Sequence, residues 1–424
     1  MDMQIRPSVL RGEVTPPPSK SAAHRALICA ALASGRSVLT PAVPSRDIEA
    51  TAAAVGALGA VVAVSGGALR VDGTAGRPQA ADGDVIDCGE SGSTLRFMIP
   101  VAALSGRRLT FVGHGRLPRR PIGPYLDCLP PAGVRCRTEG GLPLTIEGQL
   151  RPGEFRLPGD VSSQFVTGLL LALPLLAGDS RIRLLSPLES AGYVDMTLAA
   201  MARCGVTVRP TADGYAIPGG QSYRACDTAV ETDWSQAAFW LAAGALGGPV
   251  TCRGMDTRSR QGDRAVFSIL EKSGVRMTAQ GDRVTAAADR REGFTVRAAQ
   301  IPDLVPMLAA YACLCEGPSC ITDAGRLRLK ESDRLHAMAL GLRALGAHIT
   351  EQPDGLRIEP AGPLPGGTAD TAGDHRIAMA LSVAAAGCTG PSRLIGCECV
   401  EKSYPEFFTD FQKLGGLADG IDVG

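Results

Sequence analysis

The chain has 424 residues, 45% hydrophobic and 20% charged, and its 43 lysines and arginines are matched by 43 aspartates and glutamates. That balance excludes a global basic field of the kind that captures nucleic acid or anionic membranes. The length exceeds what one hydrophobic core commonly serves, so two or more domains are expected.

The N-terminal stretch MDMQIRPSVLRGEV has no apolar core and no cleavage site, so no secretion signal is expected. The longest apolar run, residues 166–177, is too short to span a bilayer and is interrupted by Pro174. Thirteen cysteines are odd in number and scattered, without a C-x-x-C pair. Cys313/Cys315 and Cys397/Cys399 have no histidine cluster beside them, and the five histidines are dispersed. No metal site is expected, and reduced thiols in a soluble cytoplasmic protein are.

A helix-like segment closed by glycine and followed by an alternating hairpin pattern recurs along the chain. The copies read ALGAVVAVSGGALRV, PAGVRCRTEGGLPLTI, RCGVTVRPTADGYAI, KSGVRMTAQGDRVTA, ALGAHITEQPDGLRI and a truncated KLGGLADGIDV. Their marking glycines are Gly59, Gly133, Gly205, Gly274, Gly346 and Gly415. Glycine there supplies a left-handed helix cap, and the alternating residues form two strands around a turn. The repeats divide into two groups of three, joined through the loop-like IPGGQSYRACDTAVETD. Two similar domains with a ligand-binding cleft between them are expected.

In chain order, the first chemical motif is PPPSKSAAHRALICAALASG. Ser19 or Ser21 caps a helix there, and Lys20, Ser21 and Arg25 gather at its N-terminus, a setting that favours an anion. An ordinary capped helix with exposed cations is the plainer alternative. DCGESGSTLRF follows, with Gly89 and Gly92 for close backbone approach and Ser93, Thr94 and Arg96 as donors. It does not fit G-x-S-x-G, and the chain has no phosphate-loop or dinucleotide fingerprint. GRLPRRPIG adds Arg116, Arg119 and Arg120. GDVSSQFVTGLL places Ser162, Ser163 and Gln164 before an apolar helix, and LESAGYVDMTL adds Ser190 and Tyr193.

The second half contributes Asp303 in IPDLVPM, and Arg328, Lys330, Glu331, Asp333 and Arg334 in LRLKESDRLHAM. It also holds Asp374, His375 and Arg376 in GDHRIAMA and Lys402 in VEKSYPEFF. Solvated salt bridges would explain KESDR, and a helix cap would explain Asp303. Collected, these residues suit two small polyanions reacting without metal or cofactor.

In this order SKSAAHRA, GESGSTLR, RRPIG, VSSQF, DWSQAAF, IPD, LKESDRL, GDHRIAMA and EKSYPEFF closely resemble the 5-enolpyruvylshikimate-3-phosphate synthases, from residue 19 to about residue 408. The resemblance implies an α/β fold of two similar domains. Each would hold three βαβαββ units with buried helices and outward sheets, an inside-out α/β barrel. Residues 1–18 with 233–424 would form one domain and 19–232 the other, with crossovers near 13–19 and 228–233 acting as a hinge.

It further implies transfer of the enolpyruvyl group of phosphoenolpyruvate to the 5-hydroxyl of shikimate 3-phosphate by a monomeric enzyme of the shikimate pathway, which leads to chorismate and the aromatic amino acids. Lys20, Ser21, Arg25, Ser162, Ser163, Gln164, Ser190, Tyr193, Asp303 and Lys330 match positions that hold shikimate 3-phosphate. Lys20, Gly92, Arg120, Gln164, Arg334, Arg376 and Lys402 match the phosphoenolpyruvate site. Asp303 and Glu331 match the catalytic carboxylates, with Lys402 and His375 beside them. Two positions depart from the family pattern: Glu90 stands where asparagine is frequent, and Arg326 replaces an asparagine. The sister family that acts on UDP-N-acetylglucosamine is the nearest rival, but its catalytic cysteine would fall at Gly115 and its K-N pair at Lys20-Ser21. A non-catalytic anion-binding scaffold is the rival of another class.

Overall fold

Gly59, Gly133, Gly205, Gly274, Gly346 and Gly415 all adopt left-handed backbone conformations, with φ between +82° and +99°. Each ends a helical turn and starts a strand, so the six sequence repeats correspond to six structural ones. The computed structural model describes residues 1–43 and 45–421. The chain divides into a contiguous unit, Pro18–Val230, and a split unit made of Met1–Pro17 and Glu231–Gly424.

Among the described residues there are six four-stranded sheets, three in each unit, and all share one strand order. In one of them Val85–Asp87 runs parallel to Leu109–Val112, which pairs antiparallel with Leu144–Glu147 and through it with Arg135–Arg137. The truncated sixth repeat has only Leu417–Ile421 after its glycine. Its missing hairpin partner is the N-terminal strand Asp2–Arg6, which pairs antiparallel with it from Asp2–Ile421 to Arg6–Leu417. The outer strand of the first sheet in each unit also comes from far away in sequence. Thr228–Ala229 lies parallel to Leu39 and Thr40, and Gly12–Val14 lies parallel to Val250–Cys252.

The contiguous unit contains helices α1 (Lys20–Leu32), α2 (Arg46–Ala57), α3 (Gly92–Ala102), α4 (Gly123–Cys128), α5 (Ser163–Ala172) and α6 (Ala191–Arg203). The split unit contains α7 (Trp234–Leu246), α8 (Val266–Lys272), α9 (Val305–Ala312), α10 (Arg334–Ala344), α11 (His375–Ala386) and α12 (Phe407–Lys413). Every residue of α9 and α11 is buried, as is every residue of α1 from Ala23 onward. In α3 only Ser93 and in α5 only Gln164 escape full burial. Alanine- and leucine-rich helices that are apolar on all sides belong in an interior. Strands such as Ser180–Leu184 alternate buried and exposed residues, as sheets with one solvated face do. Helices lie inside each unit and sheets outside. All thirteen cysteines are unpaired. Among the described residues no helix is long and apolar enough to cross a membrane, and no group of His, Cys, Asp and Glu is gathered to hold a metal ion.

The repeat glycines give a stability test. At Gly346, φ is +99° and an added Cβ would lie 2.4 Å from Pro365 Cδ, whereas nothing lies within 4 Å of one at helical Gly56. Gly346→Ala is expected to destabilise by about 1–3 kcal/mol. Gly56→Ala is expected to stabilise by roughly 0.5–1 kcal/mol. Urea unfolding of the two variants checks the opposite signs; a shared sign refutes the assignment of these backbone states.

Candidate active site

In the contiguous unit, hydrogen bonds draw together the N-termini of several helices. Ser19, Ser91 and Ser162 cap α1, α3 and α5 with their hydroxyls. Each cap satisfies one amide and leaves the positive end of the helix dipole without a counter-charge. Lys20 opens α1, and its Nζ is 2.6 Å from Asp47 Oδ2 on α2. Gln164 on α5 takes a bond from Arg96 Nη1 at 2.7 Å and gives one to Ser93 Oγ at 2.9 Å, so α3 and α5 meet at the one residue of each that is not fully buried. Arg96 also donates to the Pro121 carbonyl at 2.9 Å, which anchors the arginine loop.

That loop approaches α3 closely at Gly92. An added Cβ there would lie 2.7 Å from Arg120 Nη1 and 2.8 Å from its Cζ, so only glycine lets the guanidinium rest against this helix start. Glu90, the first departure from the family pattern, lies against Gly115: a Cβ at residue 115 would be 2.7 Å from the Glu90 carboxyl carbon. Arg25 is 3% exposed and donates to the Tyr193 carbonyl at 2.9 Å, to Thr197 Oγ1 at 2.8 Å and to the Ser21 carbonyl at 2.6 Å. It also lies over the rings of Phe97 and Tyr193. Arg25 thus clamps α1 to α6, and burial pulls its pKa down to about 10, leaving it cationic at neutral pH. Ser190, just before α6, is a non-glycine residue at φ +55°, a strained conformation of the kind retained at functional sites.

The split unit has a second cluster, built around Arg334 at the start of α10. This guanidinium is 1% exposed and meets three carboxylates. Its Nε is 2.8 Å from Asp374 Oδ2, its Nη1 is 3.0 Å from Asp303 Oδ1, and its Nη2 is 2.8 Å from Glu331 Oε2. Arg376 on α11 donates to Asp303 Oδ2 at 3.1 Å and to Ser235 Oγ on α7 at 3.0 Å. Asp303 makes no helix cap; its carboxylate is held by two arginines. Lys330 and Glu331 follow the turn Gly325–Leu329. His375 is buried as the first residue of α11, its Nδ1 3.8 Å from Asp374 Oδ1. Lys402 ends the turn Cys397–Lys402, and the neighbouring Ser403 accepts a bond from Gln236 Nε2 at 3.1 Å. Arg326, the second departure, donates to the Ala299 carbonyl at 2.6 Å.

Electrostatics follow from these contacts. Burial opposes ionisation of Asp303, but Arg376, Lys330 and Arg334 outweigh it and hold the carboxyl well below the usual carboxylate range. Burial brings Lys330 down to about 8, with Arg326 and Arg334 adding to that fall and Asp303 opposing it. Burial disfavours the charge on Arg334, yet Asp374, Glu331 and Asp303 raise its pKa above the usual arginine value.

Contacts gather Lys20, Arg25, Gly92, Arg120 and Gln164 at helix starts of the contiguous unit and Asp303, Glu331, Arg334, His375 and Arg376 in the split unit, while Ser190 stands before α6 and Lys402 at the end of its turn. Sequence reading named Ser93, Arg96 and Asp374 without their partners Gln164 and Arg334, and it missed Asp47 for Lys20, Thr197 for Arg25 and Ser235 for Arg376. Two signals were present. Asp374 directly precedes His375-Arg376 as an N-cap type residue, and Ser235 stands in DWSQAAF.

Comparison with known proteins identifies the family. The family model for EPSP synthase (3-phosphoshikimate 1-carboxyvinyltransferase) matches residues 5–411. The 3-phosphoshikimate 1-carboxyvinyltransferase of Clostridium kluyveri is 45% identical over 432 residues, covering 100% of this chain and 99% of the relative. That of Clostridioides difficile is 40% identical over 433 residues, with the same coverage. An EPSP synthase structure from Acinetobacter baumannii superposes with a TM-score of 0.81 at 25% identity, covering 99% of this chain and 100% of that one. The chain belongs to the EPSP synthase (3-phosphoshikimate 1-carboxyvinyltransferase) family.

Proposed function

We infer that the chain catalyses the reaction for which its family is named. The enolpyruvyl group of phosphoenolpyruvate passes to the 5-hydroxyl of shikimate 3-phosphate and phosphate is released, in the pathway to chorismate and the aromatic amino acids. The observation that carries this reading is the family match across residues 5–411, a span that includes both polar clusters. Phosphate release that requires both substrates tests it; release with neither dependence would refute it.

Each substrate carries a carboxylate and a phosphate of about −1.5 to −2, so the pair brings roughly −5 to −6 to the enzyme. Such charge needs cations and oriented donors wherever water is partly excluded. In this reading Lys20, Ser21, Arg25, Ser162, Ser163, Gln164, Ser190, Tyr193, Asp303 and Lys330 serve shikimate 3-phosphate. Lys20, Gly92, Arg120, Gln164, Arg334, Arg376 and Lys402 serve phosphoenolpyruvate. Arg25 acts through the α1–α6 clamp, which orients Ser21 and Tyr193. In this reading the chain works as a monomer, and its thirteen unpaired thiols suit a reducing cytoplasm.

Addition and elimination account for the chemistry. The 5-hydroxyl oxygen bonds to C2 of phosphoenolpyruvate as C3 takes a proton, giving a tetrahedral ketal phosphate. Loss of a proton from the new methyl group and departure of phosphate then leave the enol ether. Asp303 accepts the hydroxyl proton, with Lys402 as relay, and Glu331 handles the C3 proton, with His375 beside these carboxylates. A carboxylate held as firmly ionised as Asp303 is a weak base. It therefore takes the proton late, once the forming C–O bond has made the hydroxyl acidic. The arginines and lysines stabilise the departing phosphate.

Three outcomes are expected. Asp303→Asn, which preserves shape and removes the proton acceptor, lowers kcat by about 10²–10⁴ in a folded enzyme; near-normal turnover would exclude Asp303 as base. Gly92→Ala drives a methyl group into the Arg120 guanidinium and raises the KM for phosphoenolpyruvate about tenfold, the scale of one charge-assisted bond. An unchanged KM would remove Arg120 from that subsite. Because kcat/KM reports the free enzyme, its value for shikimate 3-phosphate should fall as pH rises through about 8, where Lys330 loses its proton. Lys330→Arg should shift that limb upward by more than a unit, and an identical profile in the variant would assign the limb elsewhere.

A further inference from the structure

A relay of hydroxyls runs behind three helix N-termini of the contiguous unit, and it starts from a histidine that the chemistry above does not use. His24 Nδ1 on α1 is 2.7 Å from Thr51 Oγ1 on α2, and Thr51 Oγ1 is 2.6 Å from Thr94 Oγ1 on α3. Thr94 donates in turn to Ser91 Oγ at 2.8 Å, the hydroxyl that caps α3 immediately before Gly92. Thr51 and Thr94 also reach the Asp47 carbonyl, at 3.2 and 3.4 Å. The carboxylate of that same Asp47 holds Lys20 Nζ. Each threonine has a single hydroxyl proton, so with Thr51 donating to Thr94 and Thr94 to Ser91 the chain of hydrogen bonds joins His24 to the start of α3, and the Asp47 carbonyl is only an alternative acceptor for those protons.

The His24 ring is 1% exposed and packs edge-on against Phe97, with centroids 6.2 Å apart and an interplanar angle of 89°. Its Nε2 has no hydrogen-bond partner. A buried N–H without an acceptor is rarer in proteins than an unpaired acceptor, so the proton is placed on Nδ1, donating to Thr51. Burial keeps the ring neutral, its pKa lowered to about 3; Asp47 opposes that fall, and Lys20 and Arg25 add to it. A nonpolar side chain would fill this pocket without leaving a ring nitrogen unsatisfied, so the histidine is accounted for by what Nδ1 does.

We propose that His24 is a positioning residue for phosphoenolpyruvate binding: its Nδ1 bond to Thr51 sets the relay through Thr94 to Ser91 that fixes the N-terminus of α3 at Gly92. The inference rests on the assignment of Gly92 to phosphoenolpyruvate. The buried relay is the part of the site that ligand contacts alone do not reveal.

Phosphate-release kinetics of the full-length enzyme, with each substrate varied, test it. His24→Leu and Thr51→Val should each raise the KM for phosphoenolpyruvate about five- to tenfold, the value of one buried hydrogen bond. kcat should stay within about twofold, because the loss is in binding common to ground and transition states. His24→Asn, whose amide reaches the position of Nδ1, should bring KM back to within about twofold of the wild type. The double variant His24→Leu/Thr51→Val should be no worse than the poorer single one, since both remove the same bond. A lowered Tm with unchanged KM in His24→Leu would make the ring a core residue and overturn the proposal, as would additive effects or failure of asparagine to rescue. Should His24→Leu not fold, Thr51→Val and His24→Asn decide the matter by the same criteria. Gly92→Ala separates the two levels: an unchanged KM there overturns the assignment of Gly92 and this inference with it, while a raised KM alongside wild-type kinetics in folded Thr51→Val overturns the relay alone.

Discussion

A helix buried on every side must satisfy its first amides from within the protein, and the choice of capping group sets the charge of everything near it. The contiguous unit caps α1, α3 and α5 with serine. The split unit caps α7, α10 and α11 with Asp233, Asp333 and Asp374. Neutral caps leave the positive helix ends available to an anion. Aspartate caps spend that field and bring a negative charge that must itself be matched, as Arg334 matches Asp374 and Arg328 matches Asp333. The two units share one architecture and use it to opposite electrostatic effect.

The arginine–carboxylate cluster shows what that matching costs. Arg334 and Asp374 are both buried, and an ion pair so placed gains little over a well-packed apolar pair. Losing one member of such a pair is another matter, at about 3–5 kcal/mol. The cluster is therefore poor evidence for stability and good evidence for positioning. It holds two guanidiniums and the Asp303 carboxylate in fixed relation before any substrate arrives, so less ordering remains to be done on binding.

The six-fold repeat was legible because its signal is local. A glycine that must adopt positive φ after a helix, followed by alternating residues, marks each copy without reference to distant contacts. The anion-binding motifs were legible for a similar reason, since serine, lysine and arginine gather at helix starts. Their supports were hidden. Asp374 meets Arg334 across 40 positions, Arg96 meets Gln164 across 68 and Arg25 reaches Tyr193 across 168, and nothing local announces such pairs. Arg25 illustrates the limit best. Near a helix N-terminus it reads as a ligand donor, and nothing local announces that the guanidinium also reaches the Ser21 and Tyr193 carbonyls.

The pairing of the N-terminal strand with Leu417–Ile421 orders events on the ribosome. The contiguous unit has all its strands once Thr228–Ala229 has emerged, and it can close while synthesis continues. The split unit cannot. Asp2–Arg6 precedes the contiguous unit and must wait for Leu417–Ile421 before both of its edges are paired. At elongation rates of about 5–20 residues per second, that wait after the contiguous unit is complete is on the order of ten to forty seconds. Throughout it the nascent chain carries an unpaired strand at its leading end, so the last repeat is where a newly made molecule is most open to wrong partners.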